Sequence, residues 1–250
     1  MKSDKMKKYS GFTLVEMLIT MIVLMIIFLA IGNVLNTMIK TSNTVSGRML
    51  VREEGEYLAE VFRRYIRNSR IDDVKLYFRD EASISFDENY SVVSIEGMTQ
   101  VPNPSEEKFA TEIHYRPTVL GTGEDQETDR VVCIGFFNEE DDGEIKGHIV
   151  RSAVNFVGDW ANDYEPEQCF PPSATGTDFR KNFVVLNSDL VYIEGLSIRN
   201  YTTNVNVYYE IDIDMQPRWG VGGLSNYRDA DGSPTYRKSF VVQTRRLSYL

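Results

Sequence analysis

Glu16 is an ionisable side chain near the start of an apolar run, residues 12–31, in which Thr13, Glu16 and Thr20 are the only polar residues. A carboxylate in hydrocarbon costs about 2.5–3.5 kcal/mol even on insertion-based scales. It therefore requires an opposite charge or hydrogen-bond donors. The residues ahead of it offer a source of that charge. Lys2, Lys5, Lys7 and Lys8 form a basic leader, and the small residue Gly11 stands immediately before the run. A secretory signal carries its small-residue site after the apolar stretch, where Gly32-Asn33-Val34-Leu35 supplies none. A cut between Gly11 and Phe12 removes the leader, keeps the apolar helix, and creates an α-ammonium one turn from Glu16. The plainer alternative is that Glu16 lies at headgroup level and snorkels.

Other residues with chemical potential are sparser. Cys133 and Cys169 are separated by 36 residues. They form a disulfide if the domain lies outside the cytoplasm, and otherwise stay as two buried thiols. Asn138, Glu140 and Asp142 alternate before Gly143, and Asp229-Ala230-Asp231-Gly232 is a shorter version of the same pattern. Both resemble the opening of calcium loops, yet neither has the bidentate glutamate at EF-hand spacing; a solvated hairpin tip is the competing reading. No nucleophile-elbow, zinc-protease or phosphate-loop motif is present, and no CxxC accompanies the two histidines, His114 and His148. The chain is therefore expected not to be an enzyme and to need no cofactor beyond calcium at those turns. The net charge is −10, and without residues 1–11 it is −13, from 23 basic and 36 acidic side chains. A surface that acidic excludes general nucleic-acid binding. Arg245-Arg246 is a candidate basic run in the distal half.

The elements that must position these residues follow from periodicity. Twenty residues of helix cover about 30 Å, the thickness of a bilayer core. The preceding lysines place residues 1–10 in the cytoplasm and the remainder outside. Apolar residues then recur at steps of three to four through Leu50-Val51, Tyr57-Leu58, Val61-Phe62 and Tyr65-Ile66. This predicts one helix over 12–69 with an amphipathic second half, and with weak points at Gly32-Asn33 and at 40–47. After residue 70 the period becomes two. Strands are expected at 74–78, 84–86, 92–95, 109–116, 130–137, 145–152, 183–185, 190–199, 205–214 and 240–250, with a hairpin turn at 138–143 and loops at 160–181 and 216–238. The fold class is α+β: a long N-terminal helix packed on a mostly antiparallel β-domain.

Ser10-Gly11-Phe12-Thr13-Leu14-Val15-Glu16 resembles the processing site of type IV prepilins and type II secretion pseudopilins. The resemblance implies cleavage between Gly11 and Phe12 by a prepilin peptidase, N-methylation of Phe12, and use of Glu16 to set the stagger between subunits. It divides the chain into a cleaved cytoplasmic leader (1–11), a transmembrane and assembly half-helix (12–33), an amphipathic half-helix (34–70) and an extracytoplasmic β-rich domain (71–250). More diffusely, the strand Ile113-His114-Tyr115-Arg116, the hairpin arm Gly147-His148-Ile149-Val150-Arg151 and the segment 190–198 resemble the larger J-like pseudopilins and W-like minor pilins. The expected function is then a minor, tip-proximal filament subunit that initiates assembly. Its expected partners are other pilin or pseudopilin subunits, the peptidase, a membrane assembly platform with an ATPase acting indirectly, and the lipid bilayer before assembly. The expected location is a single pass in the inner or cytoplasmic membrane and afterwards a periplasmic or extracellular filament. The alternatives are a filament-tip adhesin or ligand- or DNA-binding module, and a single-span anchored surface protein.

Overall fold

The computed structural model describes residues 13–67, 69–79, 83–85, 91–94, 98–101, 109–117, 129–141, 144–156, 158–170, 183–202, 207–218 and 236–244. The helical periodicity is realised as a single element, α1 (Leu14–Arg67), unbroken at either expected weak point. Around the second weak point the Thr37, Thr41 and Thr44 hydroxyls donate to the carbonyls of Asn33, Thr37 and Lys40, each at 2.9 Å. The helix thus absorbs its own polar groups.

Contacts divide the chain into two compact units, 1–46 and 47–250. In the first, large apolar side chains from Leu14 to Ile39 are exposed on every face of the helix, among them Leu14, Met25 and Phe28 at 80%, 68% and 69%. A helix apolar all round is buried by lipid or by other helices, and α1 is long and apolar enough to cross a membrane.

In the second unit α1 turns amphipathic. Gly47, Val51, Gly55, Leu58, Ala59, Phe62 and Ile66 form a buried stripe that packs on two antiparallel sheets. The first sheet contains β1 (Ser69–Arg79), β2 (Ser83–Ser85), β3 (Ser91–Ser94), β4 (Met98–Gln100), β5 (Glu112–Pro117), β6 (Asp129–Asp141), β7 (Glu144–Phe156) and β8 (Val184–Val185). Its strand path runs β3-β2-β6-β5-β1-β4, with β7 on the other edge of β6 and β8 beyond it. One parallel bridge, Ser83 to Asn138, interrupts its antiparallel pattern. The second sheet is the meander β9 (Val191–Thr202), β10 (Val207–Pro217) and β11 (Tyr236–Gln243). Paired hydrogen bonds between Ala110 and Ile198, at 2.8 and 2.9 Å, join the two.

The differences from expectation have local causes. β4 escapes sequence reading because Met98-Thr99-Gln100 offers a single apolar residue and so no alternation. β6 and β7 stay in register out to Asp141↔Glu144, so the expected turn at 138–143 contracts to the connection Asp142-Gly143, a favoured two-residue hairpin sequence. β11 begins at Tyr236, inside the expected loop, and ends at Gln243; residues 245–250, with Arg245-Arg246, lie outside the described residues.

Alternation assigns each face of the first sheet to a separate core. Leu76, Ile113, Tyr115, Val132, Ile134 and Ile149 join α1 and the second sheet in the main core. Tyr77, Val131, Cys133, Phe137 and Val150 face the opposite way, under the segment bearing Trp160, Tyr164, Cys169 and Phe170. Two glycines mark close approaches. A Cβ on Gly55 would stand 2.9 Å from Met215 Cε, and one on Gly147 would stand 1.8 Å from the Ile193 carbonyl oxygen. At Gly147 the two sheets meet backbone to backbone, with no room for a side chain.

A disulfide joins Cys133 of β6 to Cys169, with Cα atoms 6.1 Å apart across 36 residues. It ties residues 158–170 over the second core. In the chain-entropy account its loss costs on the order of 3–4 kcal/mol. A Cys133→Ser/Cys169→Ser variant should show that loss in chemical denaturation, with limited proteolysis falling first near residues 158–170. Both cysteines are fully buried, so reductant alone should leave the native protein unchanged until denaturant opens it.

Candidate functional site

The first described residues contain the most informative local geometry. Thr13 precedes the first helical residue, and its side-chain oxygen accepts from the Glu16 amide at 3.3 Å. In return the Glu16 carboxylate accepts from both the Thr13 amide and the Thr13 hydroxyl, each at 3.1 Å. This reciprocal pair is a capping box, in which a Thr and a Glu three residues apart satisfy each other's orphan groups at a helix N-terminus. The positive end of the helix dipole favours the carboxylate further. Glu16 therefore holds two donors within its own chain. The sequence calls for an opposite charge or hydrogen-bond donors at Glu16, and the T-x-x-E spacing ahead of an apolar run is the capping signature that identifies the donors. One carboxylate oxygen, Oε2, takes both bonds, which leaves lone pairs for an ammonium. Gly11 and Phe12 lie outside the described residues.

The β-domain holds a second polar constellation. On the second-core face, Arg79 of β1 donates to Glu112 of β5 through Nε at 2.8 Å and Nη2 at 3.3 Å. Glu112 also pairs with His114 Nε2. The other histidine nitrogen, Nδ1, meets the Tyr164 hydroxyl at 2.7 Å, and that hydroxyl lies 3.1 Å from Cys169 Sγ. The Arg79, Glu112 and His114 side chains are at most 1% exposed. Burial pushes the Glu112 carboxyl up, but the charges and hydrogen bonds of His114 and Arg79 outweigh it and hold the group below the ordinary carboxylate range. Burial pushes the Tyr164 hydroxyl well above the usual phenol range, so it remains a neutral donor. Residues 112 and 114 alternate onto one face with Arg79, a long-range meeting that spacing in sequence could not disclose.

His114, Cys133 and Cys169 place a nitrogen and two sulfurs within 4.8 Å of one another. The sulfurs are bonded to each other, and a disulfide offers no thiolate to a metal. Of the calcium candidates, Asn138 and Glu140 are strand residues opposite Gly147 and Ile145. Alternate residues on a strand stand ~6.6 Å apart along its axis, whereas a calcium loop folds its ligands back around one ion. Asp142, Asp229 and Asp231 lie outside the described residues.

The comparisons with known proteins bear on the N-terminal segment. A family model described as the prokaryotic N-terminal methylation motif matches residues 6–32. No curated protein and no solved structure matches the chain. The matched segment includes Gly11, Phe12, the Thr13–Glu16 cap and the exposed apolar part of α1 as far as Gly32.

Proposed function

We propose that this chain, which carries on residues 6–32 the methylation motif that signals type IV pilins and pseudopilins, is a minor subunit of a type IV pilus-like or type II secretion-like filament. A prepilin peptidase cuts between Gly11 and Phe12, and the new terminus at Phe12 is methylated. Before assembly, the apolar part of α1 resides in the bilayer as a single pass with the β-domain on the extracytoplasmic side. During assembly it exchanges lipid for the helices of neighbouring subunits, drawn out with the help of a membrane platform. Each fully buried Leu, Ile, Met or Phe contributes about 1.5–3 kcal/mol relative to water; in lipid the gain comes instead from packing and from satisfying Glu16.

The observation that carries the reading is the juxtaposition of Gly11-Phe12, a capped Glu16 and a helix apolar on all faces. The β-domain, with a folded core on each face of its larger sheet, favours a tip-proximal place of the J-like or W-like kind, where few copies are needed and assembly begins. Co-expression with a prepilin peptidase, followed by intact-mass measurement and N-terminal sequencing, tests the processing. The expected product begins at N-methylated Phe12; a chain retaining residues 1–11 overturns the proposal. Deletion of the protein should abolish fibres if it primes assembly, and normal fibres in its absence remove the priming role.

A further inference from the structure

The main-core face of the first sheet ends in a basic pocket that neither the motif nor the fold explains. Tyr115, Val132 and Ala153 form one cross-strand row over β5, β6 and β7. Flanking that row on the same face, two residues to either side, are Arg130 of β6, opposite Asn155, and Arg151 of β7, opposite Ile134. The last turns of α1 close the other side with Arg64 and Tyr65. Together they line a cavity of about 250 Å³. A shallower depression of about 430 Å³ continues from it and shares Arg130 and Ala153.

Three features of this cavity point to an anion. First, it gathers three guanidinium groups in a protein of net charge −10, and among the described residues none of Arg64, Arg130 and Arg151 has a carboxylate partner. Arg79, Arg116, Arg199 and Arg237 are all paired with acids. Secondly, two donors that line it are buried and unsatisfied: the Tyr115 hydroxyl and Arg151 Nε. Tyr115 is fully buried, and a buried hydroxyl without a partner costs about 1–3 kcal/mol. Burial holds the Tyr115 hydroxyl well above the usual phenol range, so it stays protonated and able to donate. Thirdly, the walls are prearranged. Arg151 Nη1 donates to the Tyr65 hydroxyl at 2.5 Å, its guanidinium lies 5.8 Å from the Tyr65 ring centroid, and the Tyr65 and Tyr115 rings lie 5.6 Å apart.

We infer that this pocket binds an oxyanion, a phosphate or carboxylate group. The ligand bridges Arg130 and Arg64 at the rim and accepts hydrogen bonds from Tyr115 Oη and Arg151 Nε at the base. Guanidinium forks match the oxygen spacing of both groups, and the half-buried setting strengthens them over the same contacts in water. The two sources differ in shape. A tetrahedral phosphate offers a third oxygen to Tyr115, whereas a planar carboxylate uses two.

The test uses the full-length chain in neutral detergent at low ionic strength, titrated calorimetrically with inorganic phosphate and, separately, with succinate. Saturable binding of either is expected. The preferred anion identifies the source. Arg64→Gln/Arg130→Gln removes two exposed charges at little risk to the fold, which a melting curve checks, and should weaken binding at least tenfold. The segment joining β5 to β6 carries Glu124, Asp125 and Glu127, so a variant neutral at those three positions is titrated in parallel. Binding in neither the native chain nor this variant overturns the inference. Equal affinity in the arginine variant, or the same heats from sodium chloride at matched ionic strength, overturns it as well.

Discussion

Glu112→Gln is expected to lower the unfolding free energy of the β-domain by about 3–5 kcal/mol, the usual cost of removing one partner from a buried charge pair. The substitution keeps shape and one acceptor oxygen but removes the negative charge between Arg79 and His114. The buried Arg79 guanidinium then loses the charge of Glu112. Urea denaturation of the two proteins at pH 7 measures the loss, and equal midpoints would show that the network adds nothing to stability. The pH dependence supplies an independent check. Because the Glu112 carboxyl is held low in the folded state, its contribution is fully present above the unfolded carboxylate value of about 4.3 and is lost as pH falls through the folded value. The native protein should therefore lose stability steeply on acidification below about pH 4.3, and Glu112→Gln should lack that share of the decline.

Loss of the Glu16 charge should remove the protein from fibres while leaving its processing intact. Two roles are superimposed on this side chain: completing the helix cap with Thr13, and pairing with an ammonium. They are separable by substitution. A glutamine at the third helical position still completes a capping box, so Glu16→Gln retains the cap and removes the charge. Thr13→Val does the reverse, at about 1 kcal/mol of helix stability. If pairing with a terminal ammonium drives assembly, Glu16→Gln should lower incorporation about 30-fold or more, since breaking a desolvated charge pair costs roughly 2–5 kcal/mol. Thr13→Val should incorporate at near-native levels. Quantitative immunoblotting of sheared fibres reads both variants. The opposite ranking would assign Glu16 to the cap alone.

Local signals in the sequence carried much of this structure. The change of period near residue 70 separated helix from strands, and the apolar runs located the cores of β1, β5, β6, β7, β9 and β10. Gly11, Phe12 and Glu16 were legible because processing motifs are contiguous. Gly55 has no local reason in the sequence, because the side chain it makes room for, Met215, lies 160 residues away. The acidic stretch 138–141 reads as a turn because its residues are polar, yet main-chain pairing continues through it to Asp141↔Glu144. The two polar clusters of the β-domain were hidden for a common reason. Arg79, Glu112 and Tyr164, like Arg64, Arg130 and Arg151, become neighbours only after strand register is set.

The Cys133–Cys169 bond also gives the molecule a sense of time. In the proposed topology, the thiols are made in a reducing cytoplasm and meet an oxidising compartment only after crossing the membrane. Until then the β-domain lacks several kcal/mol of its final stability and stays easier to thread through a translocation channel. Once oxidised, the sulfurs are sealed beneath Tyr164 and Phe170, out of reach of exchange. Folding on the far side would then act as a ratchet, favouring export over return and holding back immature subunits until the domain has closed.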